Sequence, residues 1–151
     1  MVLNELKLAN DELQKCLTSL LQVVTEKQKA IIGYNYEQLS KAIEKEESRL
    51  FELQKIHKMR RSILSKLKSE LSLDVNESNF EDLLEVIQDK INKETWLELY
   101  NSSDEIRKRI KEIQLVNDQN KYLADYGRSF IRELISNLVG AEKKSIIDRK
   151  I

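Results

Sequence analysis

The sequence predicts an all-α protein, an elongated antiparallel helical bundle with three long helices and one or two short ones. Three observations predict it. The 151 residues contain no proline and only three glycines, so few positions can break a helix. Charged residues make up 34% and aromatics 6%, in a composition rich in Leu, Lys, Glu and Ile that suits long helices rather than sheets. Apolar residues recur at alternating steps of four and three, which keeps one face of each helix against a partner. The length fits one domain, with a core that is long and thin.

The first helix is expected over about 3–32. Its seam is Leu3, Leu6, Asn10, Leu13, Leu17, Leu20, Val24, Lys27 and Ile31, widened late by Leu21, Val23 and Ile32. Gly33 is expected to take the left-handed conformation that ends a helix. Asn35 and Gln38 form a capping-box pair, and Tyr34 and Leu39 stand where a hydrophobic staple packs. So short a connection makes the first two helices antiparallel neighbours.

The second helix is expected over about 36–71. Its seam begins Leu39, Ile43, Glu46, Leu50, Leu53 and ends Leu64, Leu67, Leu71. Glu46, His57 and Arg60 weaken the middle, where Met59 and Ile63 are expected to take over by a small rotation of the stripe. Residues 72–79 read as a loop, with Ser78 and Glu81 as a second capping box. A short helix follows, with Leu83, Leu84, Ile87 and Ile91 inward. Thr95 with Glu98, and Ser102 with Glu105, are two more cap signals. They predict a helical turn and a break between 92 and 103, anchored by Trp96, Leu97 and Tyr100.

The closing helix is expected from about Ser103 to Gly140. Its seam runs Ile106, Ile110, Ile113, Asn117, Asn120, Ala124, Gly127, Ile131, Leu134, Leu138 without a missed step. Asparagine on a seam lowers stability and fixes register. The second half is wider, flanked by Leu115, Val116, Tyr122, Leu123, Tyr126, Phe130 and Ile135. Two readings of that width stand side by side. The residues pack beneath the chain's own helices, or they wall a groove for a partner. In the second reading Tyr122, Leu123, Tyr126, Phe130, Leu134 and Ile135 are the walls. Asn117 and Asn120 supply amide hydrogen bonds, and Ala124 and Gly127 admit a partner's backbone.

Several function classes are excluded or disfavoured. Net charge is zero, with 26 basic and 26 acidic side chains, so overall electrostatics give no attraction to nucleic acid or anionic lipid. The basic clusters Lys55, Lys58, Arg60, Arg61, Lys66, Lys68 and Arg107, Lys108, Arg109, Lys111 read as solvated faces paired with nearby carboxylates. His57 is the only histidine, and position 54 is Gln54, so the Glu-x-x-His pairs of a di-iron bundle are missing. Three scattered glycines make no phosphate loop. No enzymatic activity, metal or cofactor is expected. Cys16 stands alone, as a small residue beside the first seam. No signal peptide or membrane-length apolar run is seen, so a cytoplasmic location without membrane insertion is expected.

Asn117-Asp118-Gln119-Asn120-Lys121-Tyr122-Leu123 fits an N-x-x-N-x-x-L pattern. Ser129-Phe130-Ile131-Arg132-Glu133-Leu134-Ile135 follows it near the end of an all-helical chain of this length. On these residues the chain resembles the FlgN family of flagellar type III export chaperones. The resemblance implies a chaperone that binds the C-terminal helical segment of hook–filament junction (hook-associated) proteins. It implies that these ends are kept from premature assembly and handed to the export machinery. Asn117, Asn120 and Leu123 match the family-like motif, while Tyr122, Tyr126, Phe130, Leu134 and Ile135 are added from the wide stripe. Residues 1–140 are then the chaperone domain and 141–151 a flexible C-terminal tail, in a monomer or homodimer. The alternative is a coiled-coil adaptor or a self-associating structural protein.

Overall fold

The computed structural model describes residues 2–73 and 80–150, with side chains described as far as Gly140. Four helices follow one another: α1 (Val2–Ile32), α2 (Tyr36–Glu70), α3 (Phe80–Ile87) and α4 (Lys93–Lys150). They are 31, 35, 8 and 58 residues long. At 1.5 Å per residue, α4 is roughly 87 Å long.

Side-chain bonds give the directions. Asn10 meets Arg60, Ser19 meets Arg49 and Lys27 meets Glu46, so α1 and α2 are antiparallel. Gln14 meets Ser102, Val24 meets Asn120 and Gln28 meets Gln119, so α4 runs parallel to α1 and antiparallel to α2. The path is up, down and up, with α3 at the base. Helix α1 is the common wall, lying along both α2 and α4.

Two apolar clusters hold the three long helices. At the base Val2, Leu6 and Ala9 of α1 meet Ile63 and Leu67 of α2, Leu83, Leu84 and Ile87 of α3, and Leu99 of α4. Trp96 packs against this cluster and donates its indole N–H to Leu84 O at 2.7 Å, which ties α3 to α4. Higher up, Leu13, Leu17, Leu20 and Val24 meet Ile106 and Ile113, with Leu53 and Ile56 of α2 at the edge. Between the clusters lies a polar layer. Arg60 Nε donates to the buried Asn10 Oδ1 at 2.9 Å, and the guanidinium sits 4.4 Å over the Phe80 ring. Burial lowers the Arg60 pKa from its usual value. Polar seam residues of α1 thus pair with polar seam residues of α2, at Asn10 with Arg60 and at Lys27 with Glu46.

The α1–α2 turn is a Schellman motif: Asn35 N–H donates to Ala30 O and Tyr34 N–H to Ile31 O. Asn35 then caps α2 by accepting from Gln38 N–H at 3.1 Å, as its position in the sequence predicts. The left-handed residue is Tyr34, at φ 51°, and not Gly33. Gly33 is the last residue before it, where a Cβ would lie 3.2 Å from Lys29 O. Ser72 repeats the arrangement after α2, also at φ 51°, with Leu73 N–H on Lys68 O. On α2, Ile63 becomes buried as expected, whereas Met59 stays exposed. Ser78 and its capping box lie outside the described residues.

The expected break before Ser103 is absent: α4 starts at Lys93, with Asn92 Oδ1 accepting from Glu94 N–H at 2.8 Å. The reason is the seam itself. It continues backwards from Ile106 through the buried Ser103 and Leu99 to Trp96 at the same steps of three and four. Thr95 and Ser102 resemble caps but sit on a helix already held at the base. Gly140 does not end α4 either, since the backbone stays helical to Lys150. One helical glycine costs about 1 kcal/mol, which is too little to stop a helix without a proline or a competing turn.

Candidate functional site

The site follows from a mismatch in length. Helix α1 ends at Ile32 and the chain reverses at Gly33–Asn35, while α4 continues upward past that turn. Every described residue of α4 from Arg128 to Gly140 is exposed. Among them are Phe130 at 53%, Leu134 at 49%, Ile135 at 54% and Leu138 at 58%. The heptad seam runs on here with no helix of the described chain to meet it.

Where α4 passes the hairpin tip, two recesses adjoin. One, about 410 Å³, lies between the tip and α4, lined by Ile32, Tyr34, Tyr36, Leu123, Tyr126 and Gly127. The other, about 470 Å³, is a furrow between α2 and α4, lined by Ile43 and Glu46 on one side and Asn117, Lys121 and Asp125 on the other. Both share Ile31, Leu39, Ala124 and Arg128, so together they make one concave surface. The small residues are part of its shape: a Cβ placed on Gly127 would meet nothing within 4 Å.

The residues expected to bind a partner fall into three groups. Leu123 and Tyr126 line the recess at the tip. Phe130, Leu134 and Ile135 stand on the unsupported part of α4 above it. Tyr122 lies about 200° round the helix from Ala124, on the outer face, where it stacks on Tyr126 with ring centroids 6.5 Å apart. The two asparagines separate. Asn117 is exposed along the furrow. Asn120 is 3% exposed, and its Nδ2 donates to Val24 O at 2.9 Å, so its amide fixes α4 against α1. Its Oδ1 is buried and has no hydrogen-bond partner.

Sequence reasoning missed the hairpin's share of this surface: Ile32, Tyr34, Tyr36 and Ile43. A signal was present, since Ile32, Tyr34 and Tyr36 crowd a turn where polar residues are usual.

The rest of the chain offers little chemistry. Among the described residues, no group of three or more His, Cys, Asp and Glu is placed to hold a metal ion. His57 is exposed on α2. Cys16 is buried, with Sγ 3.6 Å from Arg49 O, and burial, with a smaller push from Glu52, raises its pKa against the pull of Arg49. The basic clusters are dispersed: Arg60 turns inward, Arg107 pairs with Glu81, Lys108 with Asp104 and Arg109 with Glu112. No helix among the described residues is long and apolar enough to cross a membrane.

A sequence model of one family, described as FlgN protein, matches residues 1–147. The chain belongs to the FlgN family. The match runs from the first turn of α1 almost to the end of α4, so it takes in the hairpin, the base and the concave surface together. No curated protein and no solved structure matches the chain. FlgN family membership makes the chain a flagellar export chaperone, a binder of flagellar export substrates in a family of chaperones rather than enzymes.

Proposed function

We propose that the chain binds the C-terminal helical segment of hook–filament junction proteins on the upper part of α4 and the adjoining hairpin tip. It does so in the cytoplasm, keeps those ends from associating early, and delivers them to the export machinery. The observation that carries this reading is the seam of α4 up to Leu138, exposed above Gly127 with no helix among the described residues lying along it. A contiguous apolar surface of this kind on a soluble helix marks an interaction site. Its occupant is best a helix, because residues spaced by three and four are the anchors of helix-in-groove recognition. Tyr126, Phe130, Leu134 and Ile135 supply the apolar contacts, Leu123 the floor of the recess, and Asn117 a polar contact at its lower edge. Asn120 acts from beneath, by holding α4 in register on α1.

The test is calorimetric titration of the full chain with a C-terminal helical fragment of a hook–filament junction protein from the same source. One-to-one binding is expected, reduced at least a hundredfold by Phe130→Asp. Phe130 is exposed, so the variant should keep its helical signal and melting temperature. Unchanged binding by Phe130→Asp would remove Phe130 and its neighbours from the site.

The unbroken heptad past the hairpin tip also favours a second reading, self-association through the same face. Sedimentation equilibrium separates the two: a monomer at all concentrations speaks against self-association, and a dimer that the fragment dissociates places both on one surface.

A further inference from the structure

The α2–α4 furrow carries a charge pattern that the proposed function leaves unused. Lys121 and Arg128 stand on its α4 rim, and Arg132, one turn on, continues the row. Steps of seven and four put all three on one helix face. All are exposed, and the nearest carboxylate paired with any of them is Asp125, 3.9 Å from Arg128. The deeper part of the furrow is neutralised, because Lys27 is 2.9 Å from Glu46. In a chain of zero net charge, this row leaves, even with Asp125 counted against it, a local excess of positive charge along a furrow whose apolar residues are Ile31, Leu39, Ile43 and Ala124. Asn120 lies beneath the furrow, 3% exposed with its Nδ2 on Val24 O, and fixes α4 against α1 there.

We propose that the furrow between α2 and α4 receives an amphipathic helix of the client, acidic along the edge facing α4. The proposal rests on the client-binding reading above and adds where the helix lies and what its edge carries. The stretch from Asn117 to Arg132 is roughly 22 Å long, so about four turns of client helix are covered. Its apolar stripe meets Leu39 and Ile43 on α2 and Ala124 and Ile131 on α4. Its carboxylates meet Lys121, Arg128 and Arg132. With the charged rim on only one side, the client helix has one favoured face and one favoured direction.

The experiment repeats the titration with the full chain and the same fragment. The variants are Lys121→Glu/Arg128→Glu/Arg132→Glu combined and Ile43→Asp, with Phe130→Asp as the control for client binding itself. Circular dichroism checks that each is folded. The combined reversal is expected to weaken binding at least tenfold. A fragment with its acidic residues changed to lysine is expected to bind the combined variant more tightly than it binds the natural chain. Ile43→Asp is expected to weaken binding severalfold, as a wall residue of the furrow. If the combined variant and Ile43→Asp bind like the natural chain while Phe130→Asp does not bind, the furrow proposal is overturned and the client-binding reading stands. If the natural chain does not bind the fragment, the client-binding reading fails and the furrow proposal falls with it.

Discussion

Tyr34 and Ser72 occupy the left-handed backbone region, at φ 51° each, where glycine is the usual occupant. A side chain there costs about 1 kcal/mol or somewhat more. Ser72→Gly keeps the same turn without that cost, and should raise the unfolding free energy by about 1 kcal/mol. A higher denaturant midpoint at unchanged slope would show it. Cys16 supports a different kind of prediction. Its native thiol is buried and holds its proton to higher pH than a free thiol. The native state then keeps a proton that the unfolded state has lost. Its contribution to stability is therefore full below the unfolded thiol's pKa of about 8.5 and falls as pH rises past it. Between pH 8 and 10, Cys16→Ala should lose stability with pH less steeply than the natural chain. At pH 8 the native thiol should react with iodoacetamide at least tenfold more slowly than the denatured one. At this scale the sequence was a fair guide where one side chain sets the outcome, as with the Asn35 cap. It misled where two neighbours compete for one conformation: glycine favours the left-handed region, but the hydrogen bonds from Tyr34 and Asn35 place that region one residue later.

Among the elements, α4 is divided between a supported and an unsupported part. From Leu99 to Asn120 it buries Leu99, Ser103, Ile106, Ile113 and Asn120 of its seam; from Arg128 to Gly140 it has no buried residue. Helical segments without tertiary packing are marginal in water, so local opening should be frequent there. Amide hydrogen exchange is expected to show strong protection over 99–120 and little over 130–139, with the second stretch becoming protected when a client fragment is added. Equal protection along the whole helix in the free chain would contradict the division. The same division explains how far the elements were legible. Helices α1 and α2 were read to within a residue or two, because each has a periodic stripe ending in a turn with its own hydrogen-bonding residues. Helix α4 was cut short at both ends. Thr95 and Ser102 resemble caps, but Ser102 stands beside the seam, where its small side chain lets α1 come close. Gln14 Nε2 donating to Ser102 Oγ at 3.1 Å shows that approach.

The molecule as a whole is an incomplete bundle. Helix α1 is flanked by α2 and α4, and near the hairpin tip a furrow lies between those two. Stability resides in the two lower clusters, none of whose residues lies beyond Val116. A chain ending at residue 128 should therefore fold, with a melting temperature within about 5 °C of the full chain, and should fail to bind the client fragment. A large loss of stability would mean that the upper part of α4 supports the fold in some other way. Here the sequence was half-legible. It showed an apolar stripe wider than a thin bundle needs, but the width alone could not divide core from surface. Ile113 and Asn120 proved to be core, while Tyr122, Phe130 and Leu134 proved to be surface. The deciding fact was where α1 stops relative to α4, and that depends on the relative register of two helices far apart in the chain.

That separation also sets an order of events. The side-chain bonds between α1 and α4 join residues 88, 91 and 96 positions apart, whereas Lys27–Glu46 and Lys45–Glu26 near the turn span 19 each. Closing the longer loops costs more chain entropy, and the hairpin has its own turn signals, so it should form first. During synthesis the hairpin is already outside the ribosome while α4 is still being made, with the Leu6, Leu13 and Leu17 side of α1 waiting for it. As α4 emerges, its lower part closes over α1. The residues above the hairpin tip are made later still and meet no helix among the described residues, so that surface is already open as they leave the ribosome.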